Sequence, residues 1–177
     1  VVAEALRQMS LMRIGLDDAA AQRETRIGRV VLAAPDMDLG QAFSAGVDGA
    51  GRVTRGVAIY ANRGDLALSF SSAIFGDVRL GSSIGRLSAQ QRDALLRNEF
   101  QWIDATRANQ MFPSLIGHGY FNQNPWVSSD VMLFLALGIG PERRGLVRDE
   151  ESGFLVFPPD FEDRLRALGQ ELASTRP

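Results

Sequence analysis

Three short apolar runs, each followed by a loop and a stretch of helical spacing, constrain this chain more than anything else in it. RVVLAA (residues 29–34) is continuous and is stopped by Pro35; VTRGVAIY (53–60) is β-branched and ends on an aromatic; FQWIDA (100–105) completes the set. A short run without polar alternation fits a strand buried on both faces, as in parallel sheets covered by helices. Strand, loop and helix in repetition predict right-handed βαβ crossovers. The expected fold class is therefore α/β: a mostly parallel sheet with helices on both faces and at least three strands in this chain.

The intervening segments fill in the helices. VVAEALRQMSLMR places Val2, Leu6 and Met9 on one helical face with no Ser, Thr, Asp or Asn cap in front, so this helix reads as already running at Val1. GLDDAAAQRETR (15–26) reads as a polar loop, GVDGAGR (46–52) as a turn, and LALSFSSAIFG (66–76) as a helix closed by glycine. SAQQRDALLRNEF is strongly helical, and SSDVMLFLALGIG (128–140) reads as a helix with a Ser cap and an apolar body. Its apolar run, residues 131–139, is about half of the roughly 20 residues that cross a membrane, and so predicts a buried helix rather than a transmembrane segment. PERRGLVRDEESGFLVFPP (141–159) is charged first and apolar at residues 154–157, which predicts a surface excursion docking by its hydrophobic end. FEDRLRALGQELA then forms a terminal amphipathic helix with Phe161, Leu165 and Leu168 on one stripe. Residues 1–177 are expected to form one domain, with 141–177 as the excursion plus the terminal helix.

Composition narrows the chemistry. The 177 residues contain no cysteine and one histidine, which excludes thiolate nucleophiles, disulfides and multi-His or Cys-based metal sites; no cofactor is expected. The 19 basic residues are spread along the chain against 21 acidic ones, giving a formal charge of -2, so nucleic acid is not an expected partner.

In open α/β sheets, functional groups gather in the loops after the C-terminal ends of strands. Two residues stand there. Asp65 follows the second run in YANRGDLAL, where alone it would read as the cap of the next helix. His118 follows the third in IGHGYF, flanked by glycines, where alone it would read as an ordinary loop histidine. Together they form an acid after one strand and the only histidine after the next, the tail of a Ser…Asp…His order. An imidazole in that position suits general acid/base work near neutral pH, and a carboxylate fixes its tautomer. The third member is missing: no G-x-S-x-G elbow occurs, and Ser69, Ser71, Ser72, Ser82 and Ser83 fall in helix or loop contexts. Pro35, Asp36, Tyr120 and Phe121 are candidates for lining a substrate pocket. Asp36 and Asp38 could hold a hard cation as a D-x-D pair, but more simply end the strand and cap the next helix. GVDGAGR lacks the Lys-Ser/Thr of a phosphate loop, and Trp102 and Trp126 are expected to pack rather than bind.

VVLAAPDMD, YANRGDLALSFS, RLG at residues 79–81, WIDAT and GHGYF, in this order, resemble the bacterial α/β-hydrolase family catalogued as domain of unknown function nine hundred. The resemblance spans roughly residues 1–137. It implies that the chain corresponds to the C-terminal part of an α/β-hydrolase fold, that its first helix follows the nucleophile elbow, and that a serine lies upstream of Val1. It implies also that Asp65 and His118 are the family's acid and base. The function so implied is esterase- or lipase-like hydrolysis of a small ester or acyl substrate. Activity would need the N-terminal half of the fold, in cis or associated, and the isolated segment would be inactive. The competing expectation is a non-catalytic binding or scaffold domain of the same fold, with Asp65 a cap and His118 incidental.

Overall fold

The computed structural model describes residues 1–36, 44, 49–63, 87–97, 99–112 and 120–174. A five-stranded sheet in the order β1-β2-β3-β5-β4 organises them. The three apolar runs become β1 (Ile27–Ala33), β2 (Thr54–Ala61) and β3 (Phe100–Asp104), adjacent in the sheet in chain order. They pair in parallel, from Ile27 opposite Thr54 to Ala33 opposite Tyr60, and from Val57 opposite Phe100 to Ala61 opposite Asp104. Parallel neighbours cannot be joined by a tight turn, so each connection must travel over a face of the sheet.

β2 forms the centre of the core, with Val57 to Ala61 almost wholly buried. Its side chains alternate between the faces. Ala58 and Tyr60 join Ile103, Trp126, Val127, Phe134, Phe157 and Phe161, whereas Val57, Ile59 and Ala61 join Leu95, Trp102 and Phe154. Burying a side chain the size of Ile59 stabilises by about 1.5–3 kcal/mol. Both tryptophans pack as expected: Trp102 donates its indole N–H to the Leu95 carbonyl at 3.0 Å, and Trp126 lies against Phe112 and Phe161.

Helix α1 (Val2–Leu11) turns Leu6 and Met9 towards Ala21, Ala50 and Val53 and leaves Val2 half exposed. Its first residues lie beside Leu32, Pro35 and Asp36, while its later ones pack on the 3-10 turn Ala50–Val53 that leads into β2. It therefore runs antiparallel to β1. The segment read as a polar loop instead contains α2 (Asp18–Thr25), capped by Asp17, which accepts from the Ala20 N–H at 2.7 Å, and closed by Arg26 in the left-handed region. Only Ala21 of this helix is buried, so no apolar stripe announces it. Helix α3 (Ala89–Leu96) opens on a reciprocal capping box between Ser88 and Gln91, matching the strong helical reading.

After β3 come α4 (Thr106–Met111), α5 (Tyr120–Gln123) and α6 (Pro125–Met132). The helix expected to start at a serine starts earlier. Asn124 accepts from the N–H groups of Trp126 and Val127 at 2.9 and 3.2 Å, and Pro125 occupies the first turn, where its missing N–H costs nothing. The chain then widens into a π-helical turn, Leu133–Leu137, closed by Gly138 at φ 64°. The run read as a buried helix is buried only at Phe134 and Ile139; Met132, Leu135 and Leu137 are exposed.

The segment expected as a surface excursion enters the sheet. β4 (Val147–Arg148) pairs antiparallel with β5 (Leu155–Val156), which lies parallel to β3. The expected hydrophobic docking is present, with Phe154, Leu155 and Phe157 buried, and helix α7 (Phe161–Ser174) buries Phe161 and Leu168. Among the described residues no helix is long and apolar enough to cross a membrane.

Candidate functional site

The parallel order brings the C-terminal ends of β1, β2 and β3 to one rim. Backbone bonds carry the ladder up to it: Ala34 N–H reaches Tyr60 O at 3.0 Å, and Ala105 N–H reaches Ala61 O at 2.8 Å. Ala34 adopts φ 46°, a left-handed conformation that costs an L-residue about 1–2 kcal/mol. Strain of this kind concentrates where a chain must be re-aimed at a functional surface. Beyond it, half-buried Pro35 and exposed Asp36 line a groove of about 510 Å3 with Leu32 and the first residues of α1, Val1 to Glu4. Helix N-termini carry partial positive charge and unpaired N–H groups, so this end of the groove favours developing negative charge.

Two of the four pocket candidates thus meet at the groove. Phe121 packs half-buried against the core cluster of Trp126 and Phe134, away from the groove, and Tyr120 is the first residue of α5. Asp65, His118, Asp38 and the five serines considered above lie outside the described residues. The described chain runs to Arg63 after β2 on the side of Asp65, and through α4 to Phe112 on the side of His118.

The ends of β2 and β3 are tied together. Arg63 donates its backbone N–H to Thr106 Oγ1 at 3.0 Å, Thr106 donates its own N–H to Asp104 Oδ1 at 2.9 Å, and Asp104 Oδ2 pairs with the Arg63 guanidinium at 3.1 Å. Asp104 is 7% exposed, so the loop of bonds is anchored in the sheet. Beside it lies a smaller cleft of about 260 Å3, bounded by Arg107 and Gln110 of α4 and by Asp149, Glu151 and Ser152 in the turn between β4 and β5. Ser152 donates to Asp149 from its backbone at 2.8 Å and its hydroxyl at 2.6 Å, and these bonds hold the Asp149 carboxyl below its usual pKa. Among the described residues no group of three His, Cys, Asp or Glu side chains is arranged to hold a metal ion.

A second polar cluster, absent from the sequence reading, lies inside the core. Tyr60 donates its hydroxyl to Asp130 at 2.5 Å, Arg144 donates to the same carboxylate at 2.6 Å, and Arg144 also reaches Ile139 O and Gln101 Oε1 at 2.8 and 3.1 Å. All three principal side chains are fully buried, and the guanidinium stacks over the Phe134 ring. Burial pushes the Asp130 carboxyl up while Arg144 pulls it down; burial, then the charge of Asp130, pushes the Tyr60 phenol well above its usual range. Arg144 had been read within a solvated charged stretch. The available signal was Asp130 itself, a lone carboxylate between the apolar residues of α6, which demands a partner.

A model of the family described as alpha/beta hydrolase of unknown function (DUF900) matches residues 1–134. No curated protein and no solved structure matches the chain. With most of its length covered by that match, and a five-stranded, mostly parallel sheet between helices, the chain belongs to this family of α/β hydrolases.

Proposed function

We propose that this chain carries the acid and base of a serine hydrolase acting on carboxylic esters or related acyl substrates. Asp65 orients His118 and stabilises its cationic form, and His118 takes the proton of a serine and delivers it to the leaving group. The serine would stand on a segment preceding Val1, and a backbone N–H at the start of α1 would belong to the oxyanion hole.

One observation carries the reading. The N-terminus of α1 opens at the rim where β2 and β3, the strands that precede Asp65 and His118 in the chain, end. Two others support it. Among the described strands β1 lies at the edge of the sheet, with Val30, Val31 and Leu32 only half buried, and Met132, Leu135 and Leu137 lie exposed on the segment packed beside it, a surface suited to cover by further sheet. Asp104, the acid that ends β3, has both oxygens engaged by Thr106 and Arg63, so it is not free to orient a histidine.

The test uses the intact protein. It should hydrolyse short p-nitrophenyl esters and label with a fluorophosphonate, and His118→Ala should abolish both. Undiminished labelling of that variant would remove His118 from the mechanism. A residue other than serine at the elbow position would favour the non-catalytic binding module.

A further inference from the structure

We infer that the cleft between α4 and the turn joining β4 to β5 is a binding subsite for a neutral ring bearing vicinal hydroxyl groups, such as a single sugar unit. Its walls are built from described residues, and it stands independently of any role for Asp65 or His118. It opens beside Asp104 at the end of β3 and Val156 at the end of β5, which are parallel neighbours. The C-terminal ends of strands are where open α/β sheets receive ligands. A volume of about 260 Å3 lies just below that of pockets for drug-sized molecules and suits one small ring.

The hydrogen bonds already made in the walls define what can enter. Asp104 is engaged through both oxygens, by the Thr106 N–H and the Arg63 guanidinium. Asp149 accepts twice from Ser152, and Ser152 Oγ accepts in turn from the Phe154 N–H at 3.3 Å. These bonds stiffen both sides of the cleft and consume most of its acceptors. By contrast, the side chains of Arg107, Gln110 and Glu151 are exposed and have no partner among the described residues. Arg63 spends one side-chain donor on Asp104 and keeps the rest of its guanidinium. The groups left open are thus two planar guanidinium forks, an amide and one carboxylate.

Three ligand classes meet an obstacle there. An anion faces Asp104, Asp149 and Glu151, so the two guanidinium groups create no net positive field. Asp149 is held ionised by its bonds to Ser152. A cation faces Arg63 and Arg107, with Glu151 alone open to pair with it. An acyl chain finds Val156 as the one apolar side chain among the described residues lining the cleft. A hydroxyl both donates and accepts, and two on adjacent carbons can accept from a guanidinium fork while donating to a carboxylate. Because Arg107 and Glu151 are exposed, a bound ring stays partly hydrated, and the affinity should be millimolar.

The experiment titrates the intact, isotope-labelled protein separately with D-glucose, D-galactose, D-mannose, D-ribose and myo-inositol, following backbone amide and arginine side-chain resonances. Sodium acetate, inorganic phosphate and tetramethylammonium serve as charged controls. At least one polyol should shift the Thr106 and Ser152 amides and the Arg107 side chain saturably, with a dissociation constant of about 1–10 mM. Arg107→Ala and Glu151→Ala should each weaken that binding about tenfold or more. Arg143→Ala, which removes a surface arginine paired with Glu171, should leave it unchanged. The substituted side chains are exposed, so the variants should keep the parental spectrum outside the cleft. No saturable shift with any of the polyols up to about 100 mM overturns the subsite. Binding that survives both cleft substitutions unchanged puts the polyol elsewhere and overturns it too. So does tighter binding of acetate, phosphate or tetramethylammonium at these residues, which would make the cleft a site for charge.

Discussion

Two aspartate–arginine pairs in this molecule differ in surroundings more than in chemistry. Asp130 and Arg144 are fully buried, with Tyr60 and Gln101 completing their hydrogen bonds. Asp104 is nearly buried, but its partner Arg63 is 51% exposed. In the core, the charges lose water and must satisfy each other, so removing one partner strands the other. At the rim, water can replace either partner. The contrast teaches that the inner pair holds α6 and the segment after it to the sheet, whereas the outer pair contributes direction more than stability.

Breaking the inner pair should give the largest effect. Asp130→Ala leaves the Arg144 guanidinium buried without its counterion, and urea unfolding should show a loss of about 3–5 kcal/mol. Replacing the whole trio by Tyr60→Phe, Asp130→Leu and Arg144→Met sharpens the point. If the single loss is a stranded charge, the triple variant should return to within about 1–2 kcal/mol of the parent. A triple variant no better than Asp130→Ala would instead show that the network itself is needed. Asp104→Ala should cost less, about 1–2 kcal/mol for the lost bond to Thr106 N–H and the screened ion pair. Equal losses at Asp104 and Asp130 would erase the distinction.

The smallest effect belongs to Asp149 in the turn bounding the rim cleft. Its pKa is lowered in the fold, so its stabilisation is present above the unfolded value of about 3.9 and is lost as pH falls through the folded value. Asp149→Asn should lower Tm by no more than about 2 °C at pH 7. The difference should shrink towards zero as the parent carboxyl protonates. A difference that persists unchanged into acid would mean that the side-chain oxygen, and not its charge, holds the turn.

What the residues announced in advance follows the same division. β1 was legible as a continuous aliphatic run and β2 by its β-branched residues and aromatic end, and the capping box of α3 agrees with its helical reading. Helix α2 was not legible, because one buried alanine makes no stripe. The run at residues 131–139 misled because hydrophobicity reports a demand for cover, and Met132, Leu135 and Leu137 lack that cover among the described residues. Arg144 was hidden by its neighbours: in PERRG, Arg143 pairs with Glu171 at the surface, whereas Arg144 turns fully inward. At the rim, chain order drew attention to Asp65 and His118. The bonds among Arg63, Asp104 and Thr106 link side chains that are ordinary in sequence and acquire meaning only when β2 and β3 lie side by side.

The sheet narrows along its strand order, and the narrowing has a consequence in time. β1 and β2 are in register from Ile27 to Ala33, but β3 and β5 share only Ile103 with Leu155 and Asp104 with Val156. So short a ladder offers little cooperativity of its own, and β5 depends also on its buried neighbours, Phe154 on one face of the sheet and Phe157 on the other. Amide hydrogen exchange in β5 should therefore follow the loosening of those side chains, while exchange in β2 should wait for global unfolding. The molecule carries a slow clock in its central strand and a faster one at the edge bordering the rim cleft.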